Sequence, residues 1–149
     1  MKKNMYNGLR EKAFLLKPEE IGISLENNRQ AYAAIVDIKI KNAIVTLFCS
    51  IDGTVSLYYS NGQLRIGLGE NEEIRKAGIS LLISAGQCLD AMQKTNSYDI
   101  NPTGMNVFLL TKDAVHFARI DKGTLSVKEI RFLNFLIQNV FTAIRASSK

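Results

Sequence analysis

The run over residues 31–68 reads AYAAIVDIKI (31–40), AIVTLFCS (43–50), TVSLYYS (54–60) and QLRIGL (63–68), and its punctuation decides the fold. All four pieces are rich in β-branched or aromatic side chains, which fit a pleated surface. Between them stand Lys41-Asn42, Asp52-Gly53 and Asn61-Gly62. Asp-Gly and Asn-Gly tolerate the positive φ of tight hairpins, and Lys41-Asn42 is a weaker version of the same signal. The reading is a four-stranded antiparallel meander closed by two-residue turns. In that register Val55, Leu57 and Tyr59 share a face with Leu64, Ile66 and Leu68. Thr54, Ser56, Tyr58, Ser60, Gln63 and Arg65 take the other face, which is wet or covered by a partner.

Downstream, Asn71 is placed to cap a long helix with Glu72 and Glu73 in its first turn. Its apolar positions Ile74, Ala77, Leu81, Ala85, Cys88 and Met92 recur at helical spacing. The stretch AGISLLISAG (77–86) carries no charge on any side, and Ser80 and Ser84 mark its one polar edge. A helix apolar nearly all round is buried on more than one face, so the first helix or another subunit is expected to cover it. The polar loop TNSYDINPTG (95–104) leads to a second hairpin, with strands over 105–110 and 114–120 around Lys112-Asp113.

Ser126-Val127-Lys128-Glu129 reads as a capping box, and Leu125 with Ile130 as a hydrophobic staple, which predicts a helix from about Val127 to Ala146. Ile130, Leu133, Ile137, Val140 and Ile144 form its core seam. At about 100° per residue, Phe132 and Phe135 project to the far side among Lys128, Arg131, Asn139 and Thr142. They form a candidate contact surface unless the N-terminal helix or a loop covers them. Upstream, Met5, Leu9 and Ala13, with Phe14 and Leu16 beside them, suit a short amphipathic helix. Pro18 ends it, and Pro18-Glu19-Glu20 opens a single further turn.

The chain has 149 residues, one domain's worth, with 46% hydrophobic and 22% charged side chains, enough to fill one core. We read residues 1–149 as a single domain, with 1–30 an N-terminal helix and connector and 31–149 the sheet and two long helices. No stretch has the roughly 18 uncharged apolar residues of a membrane span. Polar residues from Asn4 to Lys12 interrupt any apolar region behind Lys2-Lys3, so no export signal is read. Cys49 and Cys88 lack CxxC spacing and read as buried, reduced thiols of a cytoplasmic protein. The net charge of +5 is dispersed, the longest basic runs being Lys2-Lys3 and Arg75-Lys76, so no stripe for nucleic acid is present.

Motifs for chemistry fail. IGLGENEEIRKAG (66–78) has the strand, glycines and helix of a phosphate loop, but Glu72 stands where the third glycine of GxGxxG belongs. Glu70, Glu72 and Glu73 also oppose an anion there. Gly67 and Gly69 instead suit a close approach of strand end and helix. His116, the only histidine, shares a strand face with Ala114 and Ala118 and reads as a surface or rim residue. It leaves a nitrogen- or sulfur-rich metal site almost nothing to be built from. Cys49 with His116 is the only conceivable cysteine and base pair, and Glu19-Glu20 and Glu72-Glu73 are explained by helix dipoles. We therefore assign no catalytic, cofactor-binding or metal-binding residue.

TVSLYYSNG and IGLGENEEIRKAG, with PEEIGIS before them and MNVFLLTKDAVHFARID after, resemble a family of uncharacterised bacterial proteins that share an aspartate-glycine, an SLY-aromatic-S run and a glycine turn before a helix. That resemblance implies no activity. More distantly, helices beside an antiparallel meander resemble the longin, roadblock and profilin-like domains, which implies an interaction platform that often dimerises.

The expectation is an α+β fold, with a mainly antiparallel sheet of about six strands and helices packed on one face. The leading functional reading is a noncatalytic, cytoplasmic protein-interaction or regulatory module, homodimeric or bound to another protein, with Phe132, Phe135, Ser80 and Ser84 as interface candidates. The alternative is a small-molecule-binding or enzymatic domain using the hairpin rim over 56–70, through Ser56, Tyr58, Ser60, Asn61, Gly67 and Gly69. Neither reading calls for a cofactor or a membrane.

Overall fold

The structure, a computed structural model, describes residues 2–148. Seven strands form one sheet: β1 (Ala33–Ile40), β2 (Ala43–Ser50), β3 (Val55–Tyr59), β4 (Leu64–Arg65), β5 (Gln93–Thr95), β6 (Met105–Leu110) and β7 (Val115–Ile120). Their order is β4-β3-β2-β1-β6-β7-β5, with every neighbouring pair antiparallel. Helices α1 (Lys2–Leu15), α2 (Glu72–Ala85) and α3 (Lys128–Ser147) complete an α+β fold. The seventh strand is β5, a three-residue edge piece that pairs with β7 and is too short and polar to show as a pattern.

The meander forms, but two of its turns have three residues where two are expected. Gly62 N–H donates to Tyr59 O at 2.9 Å and Tyr59 N–H to Gln63 O at 3.0 Å, so the β3–β4 loop is Ser60-Asn61-Gly62, three residues rather than two. Gly62 (φ 95°) supplies the left-handed bulge that such a loop requires. Ser50 and Thr54 close Ile51-Asp52-Gly53 in the same way, with Gly53 at φ 96°. The extra residue turns β4 over: Leu64 lies opposite Tyr58 and Arg65 opposite Leu57. Leu64 therefore does not share the face of Val55 and Leu57, and Leu64 and Ile66 are exposed. The turn read as weakest is the true two-residue one: Ile40 pairs with Ala43 around Lys41 (φ 54°) and Asn42.

The two faces of the sheet carry separate cores. On one, α2 and α3 pack on Val36, Leu47, Leu57, Val107 and Leu109, burying the predicted seam from Ile130 to Ile144. Asn71 caps α2 as expected, its side chain accepting from Ile74 N–H at 3.1 Å. The α-helix stops at Ala85, and a 3-10 stretch, Gly86–Ala91, carries Cys88 and Leu89 into the same core. α3 begins at Lys128, but not through a capping box. Ser126 Oγ donates backwards to Gly123 O, and Arg131 Nη1 instead reaches the carbonyl oxygens of Leu125 and Ser126. What covers α2 is thus the sheet and α3, not the first helix.

α1 lies on the opposite face, with the connector and Tyr98 and Ile100 of the polar loop. Its buried stripe is Tyr6, Arg10, Ala13 and Phe14, while Met5 is exposed, because a charged residue belongs to the buried side. Arg10 donates from Nε to Asp37 Oδ1 (3.0 Å) and from Nη2 to Asp37 Oδ2 (2.6 Å). Asp37 is 1% exposed and Arg10 8%. Thr46 Oγ1 donates to Asp37 Oδ1 (2.6 Å) and is itself within 2.7 Å of the Tyr6 hydroxyl. The guanidinium also lies 4.9 Å from the Phe14 ring centre and 5.6 Å from that of Phe108. Breaking such a pair leaves a buried charge alone, so Arg10→Ala is expected to cost about 3–5 kcal/mol in urea denaturation. The apolar pair Arg10→Met with Asp37→Leu is expected to lose far less, and equal losses would deny the pair its role.

Candidate functional site

The strand registers test the one conceivable nucleophile and base. Cys49 lies opposite Ala34, Ala34 opposite Leu109, and Leu109 opposite His116. The two residues stand three strand spacings apart, about 14 Å, far beyond hydrogen-bond reach. Both cysteines are buried and free, and burial pushes the Cys49 thiol up to about 12 and the Cys88 thiol to about 11, Glu129 adding to the latter. Neither is a thiolate near neutral pH. Among the described residues no group of three His, Cys, Asp or Glu side chains is gathered for a metal ion, and no helix is long and apolar enough to cross a membrane.

The hairpin-rim residues are divided between the two faces. Ser56 and Tyr58 are buried on the α1 side. Ser60 Oγ accepts from Ile44 N–H of β2 (2.8 Å) and Asn61 Oδ1 from Gln63 N–H of its own turn (3.0 Å), so both are occupied within the sheet. Gly67 and Gly69 belong to the entry of α2, on the other face. A Cβ at Gly69 would overlap the carbonyl oxygen of Gly53, and Arg75 Nη1 donates to Gly69 O at 3.0 Å. That close approach joins the β2–β3 turn to the α2 entry.

Of the four interface candidates, Ser80 lines a groove between α2 and α3. α3 runs antiparallel to α2, with Glu129 near its start beside Cys88 just beyond the end of α2. A groove of about 450 Å³ runs between the helices on the side away from the sheet, lined by Ala77 and Ser80 of α2 and Leu136, Asn139 and Ala143 of α3. Small side chains on both helices keep it open. Ser84 is half-buried, and Phe132 is partly buried against the core, whereas Phe135 is 59% exposed. Ile83, 71% exposed, stands one turn from Ser80, and Phe135 one turn from Asn139. In antiparallel helices these two large apolar side chains flank the same end of the groove. The sequence reading passed over Ile83 because its neighbours in 77–86 are equally apolar; only the packing of α3 shows which of them is left uncovered.

Two further clefts lie at the β5 end of the sheet. One, of about 480 Å³, has walls from Phe14, Tyr32 and Tyr98; the other, of about 360 Å³, includes Arg29 and His116. Lys94 and Asp113 line both, 3.8 Å apart. His116 is buried at 7% exposure, contrary to the surface position expected of it, because Leu89 and Met92 close over the end of β7. Burial and the nearby Lys94 hold its imidazole below the usual value.

No protein-family model matches the chain, and neither a curated protein nor a solved structure matches it.

The thiols give a direct check of the burial. In the native protein Cys49 and Cys88 are expected to react with an aromatic disulfide reagent only at the rate of unfolding, and both at once in denaturant. Fast labelling of either thiol in the folded state would contradict the structure at that position.

Proposed function

We propose that this chain is a noncatalytic protein-interaction module that pairs with a second copy of itself through the outer face of α2 and α3. One observation carries this reading: Phe135 and Ile83 are 59% and 71% exposed, and helical spacing sets them one turn from the groove residues Asn139 and Ser80. Water contact of two large apolar side chains is a standing cost that a partner surface removes. A two-fold axis parallel to the helices lays α2 of each copy on α3 of the other and brings Ile83 of each near Phe135 of its mate.

The sheet offers no equally good route. Its edges are β4 and β5, two and three residues long, which expose too little unpaired backbone to template another strand. The helical face is also limited. Fourteen residues of α2 give a length of about 21 Å, and two helices a width of about 20 Å, so the footprint is about 400 Å² per copy. That lies below the roughly 800 Å² per partner of a standard interface, which implies a reversible dimer.

Support for a noncatalytic role comes from the inert thiols and from the separation of Cys49 from His116. Free, buried cysteines also suit a reducing, cytoplasmic setting. The rim reading has weaker support, since its residues are shared between two faces and occupied within the sheet.

Light scattering across a dilution series is expected to show a concentration-dependent dimer that Phe135→Ser with Ile83→Ser converts to a monomer. Both positions are exposed, so the thermal stability of the monomer is expected to stay within about 0.5 kcal/mol. A monomer at all concentrations, or a dimer indifferent to both changes, would overturn the proposal.

A further inference from the structure

The smaller cleft at the β5 end combines features that the helical interface does not use. His116 lines it, is more than nine-tenths buried, and has an Nε2 without a hydrogen-bond partner. A buried polar atom left unpaired is costly and calls for a partner. Lys94, Asp113 and Arg29 act on the imidazole, and with Asp90 the cleft lining holds two cations and two carboxylates. Arg29 Nη1 holds Asp90 Oδ1 at 3.1 Å, but the Asp90 side chain is 81% exposed and that pair is solvated and weak. Arg29 Nη1 therefore already holds a carboxylate that exchanges readily, while its Nη2 donates to Gly86 O at 3.3 Å. Leu89 and Met92 give the cleft an apolar wall.

We propose that this cleft binds the carboxylate of a small organic acid between Arg29, Lys94 and His116, with its apolar remainder along Leu89 and Met92. The ligand carboxylate takes the place of Asp90 on Arg29 Nη1 and accepts from Lys94. The neutral imidazole donates to it from Nε2, after the small shift that exposes this atom to the cleft. Two carboxylates remain at the site, Asp113 beside Lys94 and the displaced Asp90, and both select against dianions.

His116 is the only histidine, so its ring resonances report the site without assignment of the rest of the protein. Butyrate titrated into labelled protein at pH 7.5 is expected to shift the ring Hε1 signal saturably and to raise the pH at which the ring titrates, as an adjacent anion favours imidazolium. Arg29→Gln and Lys94→Gln, both at exposed positions, are expected to weaken binding about tenfold each while leaving the thermal midpoint unchanged. A shift linear in butyrate, or saturation indifferent to both substitutions, would refute the site. Inorganic phosphate forms a second arm. Tighter saturation by phosphate than by butyrate would overturn the choice of a carboxylate, and weaker saturation supports it. The dimer experiment reads a different surface, so either proposal can fail alone.

Discussion

The placement of α1 depends on the bidentate pair of Arg10 and Asp37. Asp37 sits in β1, the central strand of seven, at a position whose neighbours on the same rung are Thr46 and Asn106. In both neighbouring strands an apolar face is interrupted at that rung by a polar side chain. Without α1 the rung would lie open to water and carry no penalty. With α1 in place every group must find a partner, and Arg10, Thr46 and Tyr6 supply them in one connected network. Asn106 gives its amide to Asn101 O at 2.7 Å, while its Oδ1 stays unpaired. A buried ion pair contributes little net stability, but it tolerates few alternative dockings. Register specificity of α1 on the sheet is what it provides, reinforced by the stacking of Phe14 on Tyr98, with ring centres 4.2 Å apart.

The opposite face is built by a different principle. There α2 and α3 bury a continuous apolar surface with no charged residue in the cluster, and shape complementarity alone sets their position. Such a layer has an outer side that nothing in the chain covers. The fold thus divides its tasks: α1 closes one face with a polar lock, and the α2–α3 pair closes the other while leaving Ile83 and Phe135 outward. The 3-10 stretch after α2 also matters, because it brings Leu89 and Met92 over the end of β7 and so buries His116.

The sequence made much of this legible. Period-two runs with Gly, Asn and Asp between them specify the meander and the β6–β7 hairpin; spacings of three and four specify the seam of α3; Asn71 specifies the start of α2. These are local signals, in which the residue types themselves favour the backbone they adopt. Where local signals mislead, a single residue of geometry decides. Asn61-Gly62 reads equally as a two-residue turn or as the end of a three-residue loop, and that difference reverses β4. Ser126 and Glu129 have the spacing of a capping box, yet Ser126 closes a preceding turn and α3 starts at Val127 with no side-chain cap.

By itself, then, the sequence determined six of the seven strands, the cores of the helices, the antiparallel pairing within the meander and the β6–β7 hairpin and the absence of familiar catalytic motifs, because each follows from periodicity or turn chemistry within about twenty residues. Tertiary structure alone decided that β6 inserts beside β1, that α1 crosses to the opposite face from α2 and α3, and that Arg10 and His116 are buried. Those outcomes rest on pairings between residues distant in the chain, such as Arg10 with Asp37 or Ala34 with Leu109. A charged or polar residue shows its type in the sequence, but not the partner that makes its burial possible.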